Sequence, residues 1–156
     1  IGTRPGGHFV YAREYIAKGE EICYLRGILC EQPSRYSVQI GPSTHLAPHH
    51  ESATTDGELP SPWIYTNHSC HPNAMLRGRE LIAIRPIASG DEITFDYETT
   101  EWDMAEPFNC LCGNPECRRH IRGFAHIDEA TRLKLMPYLA DYILEEIAPA
   151  EAGSVP

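Results

Sequence analysis

A chain of 156 residues that is 42% apolar and 22% charged has the composition of one globular domain with a sizeable core. Its net charge of −9 argues against direct nucleic-acid binding, which needs a basic face, and suits a Lys- or Arg-rich partner. No apolar run approaches the roughly 20 residues that span a bilayer, and no basic start leads into an apolar run. The expectation is therefore an intracellular protein with no membrane contact. The chain opens on Ile1 and not on Met, which leaves room for an upstream segment.

Residues 2–7 read as a flexible lead, and Phe9-Val10-Tyr11-Ala12 as a first strand. A turn at Ala17-Lys18-Gly19-Glu20 precedes a second strand over 21–25. Residues 36–40 alternate in polarity, as a half-buried strand does. From 41 to 62 the chain is rich in Pro, Ser, Thr, His and Asp and reads as a solvated loop. His45, His49 and His50 lie in it without a second ligand group at metal spacing.

The apolar stretch Trp63-Ile64-Tyr65 leads into Asn67-His68-Ser69-Cys70-His71-Pro72-Asn73. Pro72 fixes its own φ and turns His71 out of the helical region, so this reads as a loop, and loops carry function. Residues 74–76 and 80–84 flank a hairpin turn at Arg77-Gly78-Arg79, and 93–97 form another strand after the turn at Ala88-Ser89-Gly90-Asp91. Many short strands with tight turns mean a mostly β domain.

Past 99–106 the pattern breaks up, and the last part differs in kind. Ile127, Ala130, Leu133, Met136, Leu139, Ile143 and Ile147 recur at helical spacing. Asp128 caps the start, and Pro137 predicts a kink or a break at Met136. A face of this size is expected to dock on its own domain. Residues 149–156 read as a frayed tail.

Cys110-x-Cys112-x4-Cys117 gathers three thiols, and Gly113, Asn114 and Pro115 let the backbone bend them toward one point. A structural zinc takes four ligands, often thiolates, so a fourth is needed from elsewhere. Cys70, His68, His71 and His120 compete for that place, Cys70 being the natural choice. The alternative is a disulfide with a spare thiol. A zinc saturated by thiolates has no open position, which argues against a zinc hydrolase.

The Asn67–Asn73 motif, then Gly90-Asp91-Glu92-Ile93-Thr94-Phe95-Asp96-Tyr97, then the cysteine cluster resemble, in this order, the SET-domain family of protein lysine methyltransferases with a zinc-binding post-SET segment. The resemblance covers 6–123. It implies a SET fold of small sheets in which the central loop threads a pseudoknot near the last strand. The implied organisation is a SET catalytic domain over 1–103, a post-SET segment over 104–123, a helical extension over 124–148 and a tail over 149–156. S-adenosylmethionine is the implied cofactor, with a structural zinc.

The match implies roles residue by residue. Gly6, Gly7 and His8, with His8 standing where the family has a second loop glycine, contact the cofactor, as do Asn67 and His68. Leu111 and Phe108 help to cover its adenine. Tyr97 is the catalytic tyrosine, Phe95 tunes how many methyl groups are added, and Tyr36 lines the lysine channel. Cys70, Cys110, Cys112 and Cys117 hold the zinc. The implied activity is methyl transfer to a protein lysine, continuing to the di- or trimethyl state because Phe95 carries no hydroxyl. A basic tail is the expected substrate and a monomer the expected state. Two alternatives stand beside this: a SET-like module that binds without turnover, and methylation of a small-molecule amine.

Overall fold

The computed structural model describes residues 1–49 and 62–148. His50, most of the 41–62 stretch and the 149–156 tail lie outside the described residues.

The strands are β1 (Gly2–Arg4), β2 (Gly7–Phe9), β3 (Glu21–Tyr24), β4 (Ile28–Cys30), β5 (Val38–Gly41), β6 (Thr44–Ala47), β7 (Asn67–His68), β8 (Ala74–Arg77), β9 (Glu80–Ala83), β10 (Thr94–Phe95), β11 (Phe108–Asn109) and β12 (His120–Ile121). They form two three-stranded sheets, β3-β9-β8 and β4-β6-β5, and three strand pairs. Two helices follow, α1 (Glu129–Leu135) and α2 (Asp141–Ile147). Among the described residues no helix is long and apolar enough to cross a membrane.

The β8–β9 hairpin shows why short strands suffice. Ala74, Leu76, Leu81 and Ala83 are buried, while Arg77 faces Glu80 across the Gly78-Arg79 turn. Gly78 takes φ +57, which such a two-residue connection requires of its first residue. That buried face joins Leu25, Leu46, Trp63, Ile87, Ile93 and Phe95 in the main core.

Several elements depart from the sequence reading. Residues 2–7 are not a loose lead: Gly2–Arg4 pairs antiparallel with Gly7–Phe9. The 9–12 strand is divided, because Phe9 pairs with Gly2 while Tyr11 makes a lone bridge to Glu92. The strand read over 36–40 starts at Val38, because Ser37 turns back on the Ser34 carbonyl through its backbone N–H (3.2 Å) and its hydroxyl (3.0 Å). Within the presumed solvated loop, Thr44–Ala47 is the middle strand of a sheet, with His45 and Leu46 buried. The 93–97 strand shortens to Thr94–Phe95, because Asp96 accepts the Glu98 N–H and caps a 3-10 turn over Tyr97–Thr99.

The start of the central motif is β structure. Asn67–His68 runs parallel to Thr94–Phe95, with Asn67 beside Thr94 and His68 beside Phe95. Asn73 clamps the far side: its side chain donates to the Glu92 carbonyl (2.7 Å) and accepts the Thr94 N–H (2.9 Å). The loop thus touches the β10 segment at both of its own ends.

The helical part breaks at Met136. Helix α1 starts on Asp128, whose carboxylate accepts the Thr131 N–H at 2.8 Å, and Met136–Tyr138 forms a 3-10 turn containing Pro137. Phe124, Leu135, Leu139, Tyr142 and Ile143 make a second core, with Trp102 packed against it. The Ala140 N–H donates to the Thr99 carbonyl (2.9 Å) and the Tyr142 hydroxyl to that of Thr100. The helices therefore dock against the turn that carries Tyr97.

Candidate functional site

Tyr97 sits where the β7–β10 pair gives way to the capped turn. Its phenol donates to the Thr66 carbonyl at 2.8 Å. Its ring centroid lies 4.8 Å from Phe95, 5.4 Å from His68 and 6.0 Å from Phe108. Burial, then the charges of Glu101 and Glu92, raise the phenol pKa above its ordinary value. The hydroxyl therefore stays protonated at neutral pH, held in one direction by its acceptor.

His68 links this group to the cysteines. Its Nδ1 lies 3.2 Å from the Tyr97 backbone N–H, which can only donate. The ring proton is thereby assigned to Nε2, 3.3 Å from the Cys70 Sγ. Burial, helped by Arg118, lowers the His68 pKa to about 3, so the ring is neutral. The 3.6 Å approach of an Asp96 oxygen to Nδ1 is accordingly no ion pair.

Cys70, Cys110, Cys112 and Cys117 bring their sulfurs within 4.8 Å of one another. Cys70 lies 3.9 Å from Cys110 and 4.0 Å from Cys117. Four thiolates around zinc at about 2.3 Å would stand roughly 3.8 Å apart, so the spacing fits a tetrahedral ion. All four are free thiols, which removes the disulfide alternative, and no histidine stands in the group. Cys110 is pushed up to about 11 and Cys70 further up, in both cases chiefly by burial. Thiols of that kind become thiolates only beside a cation.

Arg118 follows the last of these cysteines. One terminal nitrogen lies 2.6 Å from both oxygens of Asp96, and its Nε donates to Glu98 at 2.7 Å. Both carboxylates are 1% exposed. Burial raises the Asp96 carboxyl to about 6 against the pull of Arg118, which leaves it ionised at neutral pH. Arg118 stays charged, since its two carboxylates outweigh its own burial.

On the opposite side, Asn67 gives its amide hydrogens to the His8 carbonyl (3.0 Å) and to Glu92 (2.9 Å). Glu92 also takes a bidentate pair from Arg4, at 2.6 and 2.9 Å. Asn67 thus ties the β1–β2 hairpin, with Gly6 and Gly7 at its tip, beside the central motif. The His8 ring leans on Tyr65 (centroids 4.9 Å apart) and bonds the Thr3 hydroxyl. Leu111 stands 92% exposed between two of the clustered cysteines. Tyr36 lies in the Ser34–Ser37 turn, 57% exposed under the Arg35 guanidinium, and among the described residues no ring pairing joins it to the Tyr97 group.

Arg118 and Glu98 escaped the sequence reading, and Glu92 and Asp96 stood in the motif without an assigned role. A faint signal existed: acids on either side of Tyr97 and a basic residue directly after Cys117. Nothing in the sequence said that they meet.

The SET domain family model matches residues 7–98, and the chain belongs to that family. Methyltransferase flvH of Aspergillus flavus is 35% identical over 113 residues, covering 69% of this chain and 57% of that protein. Histone-lysine N-methyltransferase ash1 of Drosophila melanogaster is 29% identical over 149 residues, 86% of this chain but 6% of that protein. Among solved structures, Arabidopsis thaliana SUVH6 in complex with SAM superposes with a TM-score of 0.57 at 20% identity, covering 76% of this chain and 32% of that one. KRYPTONITE in complex with mCHH DNA, an H3(1-15) peptide and SAH gives 0.54 at 23%, over 74% of this chain and 27% of that one. The chain thus spans little more than half of flvH and far smaller shares of the others.

Proposed function

We propose that this chain is the catalytic module of an S-adenosylmethionine-dependent protein lysine methyltransferase. The observation that carries the reading is the Tyr97 phenol, fixed on the Thr66 carbonyl inside a box of Phe95, Phe108 and His68. Support comes from family membership and from relatives named as histone-lysine methyltransferases.

When bound, S-adenosylmethionine would supply a methyl group from its positively charged sulfur to the lysine amine, whose proton would leave to water. What remains is the work of the chain's own residues. The aromatic box disfavours an ammonium ion and lowers the amine pKa, so the lone pair is available. Tyr97 keeps its proton and is not the base. Its oxygen aims the neutral amine and opposes the positive charge moving through the site. Phe95 brings no hydroxyl, which leaves room for an amine that already carries a methyl group, so the reaction continues past the monomethyl product.

Cofactor contact is assigned to Gly6, Gly7 and His8 and to Asn67 and His68, two segments that the Asn67 side chain holds together. Leu111 is an apolar side chain free to cover the adenine. One structural zinc on Cys70, Cys110, Cys112 and Cys117 fastens the 104–123 segment to the central motif and takes no part in the chemistry. The catalytic domain ends near 103, and the 124–148 helices brace it. A basic peptide suits the net charge of −9 better than a DNA backbone does. Histone-modifying relatives fit an intracellular setting.

The test is label transfer from methyl-tritiated S-adenosylmethionine, using the zinc-loaded chain with a panel of lysine-rich basic peptides and a parallel panel of small amines. Transfer to peptide lysines is the expected result. Peptide binding without transfer would establish the binding-module alternative, and transfer to small amines alone would replace the protein substrate.

A further inference from the structure

We propose that Arg118 is a positioning residue for Tyr97, holding the peptide on both sides of it and linking it to the cysteine cluster; the catalytic consequence rests on the methyltransferase reading above. The guanidinium grips Asp96 and Glu98, the residues immediately before and after Tyr97, at 2.6–2.7 Å. Both anchors are set from further points. Asp96 caps the Tyr97–Thr99 turn through the Glu98 N–H (3.1 Å), and the other Glu98 oxygen accepts the N–H groups of Arg122 (3.1 Å) and Gly123 (3.4 Å). At its other end, Arg118 is next to Cys117 and donates its backbone N–H to the Cys70 Sγ at 3.5 Å. One residue thus touches the cluster through its main chain and the catalytic turn through its side chain.

The physical argument is one of charge. Two carboxylates, each 1% exposed, face a single guanidinium. Take the guanidinium away and two buried like charges stand two residues apart with no cation between them. The turn must open toward water, which moves the Tyr97 hydroxyl. A planar fork reaches both carboxylates at once, whereas a lysine ammonium on its flexible stem reaches one. A shift of about 1 Å in an aligned group lowers turnover about a hundredfold.

The experiment compares Arg118→Ala and Arg118→Lys with the wild-type chain, each zinc-loaded. The expected result is a fall in kcat of about a hundredfold for the alanine variant and a smaller fall for lysine. The KM for S-adenosylmethionine stays within about threefold and the zinc content stays at one per chain. Added guanidinium ion restores part of the turnover to the alanine variant and none to the lysine variant. Amide hydrogen exchange across 94–101 accelerates in both variants while the 74–83 hairpin keeps its protection. Should the alanine variant fail to fold, the lysine variant carries the comparison.

Full turnover in either variant with unchanged exchange at 94–101 overturns the proposal. So does a loss that excess zinc alone repairs, since Arg118 would then serve only the metal. If the wild-type chain transfers no methyl group to any amine offered, the methyltransferase reading fails by itself, and the exchange measurement decides whether the clamp exists.

Discussion

The imidazole of His68 stands with Nε2 3.3 Å from the Sγ of Cys70. A neutral ring donating from Nε2 orients a thiolate ligand, as groups behind a metal's direct ligands commonly do. The other nitrogen of that ring accepts the Tyr97 backbone N–H, so with zinc on Cys70 the ring would tie that thiolate to the Tyr97 turn. Without a metal Cys110 and Cys70 revert to protonated thiols, since burial pushes Cys110 up to about 11 and Cys70 higher. Chelation of the zinc is expected to lower Tm by at least about 10 °C, given structural zinc binding energies of order 10 kcal/mol. S-adenosylmethionine binding is expected to fall with it. A chromogenic zinc assay beside calorimetry checks both, and an unchanged Tm after full metal removal would contradict the structural role.

Tyr97→Phe separates chemistry from folding. The hydroxyl makes one hydrogen bond, to the Thr66 carbonyl, so its loss is expected to cost about 1 kcal/mol of stability. The ring contacts with Phe95, His68 and Phe108 remain. The kcat is expected to fall about a hundredfold or more with the cofactor Kd almost unchanged. Full turnover in a folded variant that binds cofactor would remove Tyr97 from the mechanism.

Phe95→Tyr tests the product. Phe95 is buried at 9% exposure, with its ring 4.8 Å from that of Tyr97. An added hydroxyl takes volume beside the amine and gives it a hydrogen-bond acceptor. Mass spectra after exhaustive reaction are expected to show di- and trimethyl product for the wild type and mainly monomethyl product for the variant. Monomethyl product alone from the wild type would refute the room assigned to Phe95.

Much of this was legible because the chemistry is written in short local patterns. The cysteine spacing and the Asn67–Asn73 motif needed no tertiary information to stand out, and the helical period held at Leu139 and Ile143, which are buried, whereas Leu133 and Met136 of the same pattern are exposed and Leu135 takes their place in the second core. What escaped was set by partners distant in the chain. Residues 44–47 read as polar loop because Thr44 and His45 hide a strand whose burial depends on β4 and β5. Arg4 and Glu92 are 88 residues apart, and Arg118 and Asp96 22 apart, distances over which charge pairing has no sequence signature. Tyr36 illustrates the reverse error. Alternation favoured a strand there, but the Ser34–Ser37 turn captured it and left the ring exposed.

Glu101 gives the chain a pH dependence of its own. Its carboxylate accepts the Gln39 N–H at 2.8 Å, with the Tyr97 and Tyr142 phenols in its field. Burial raises its pKa from 4.5 to about 7. A raised acid binds more protons folded than unfolded between those values, so its contribution to stability is present at low pH and is lost as pH rises from 4.5 to about 7. The full difference is about 3 kcal/mol. Glu101→Gln keeps the shape and an acceptor for Gln39 but never ionises. Urea unfolding is expected to place the variant near the wild type at pH 4.5 and above it by up to about 3 kcal/mol at pH 8. Asp96, raised to about 6, has the same sign in both proteins and cancels in the difference. An equal gap at the two pH values would mean that the Glu101 carboxyl titrates as it does in the unfolded chain.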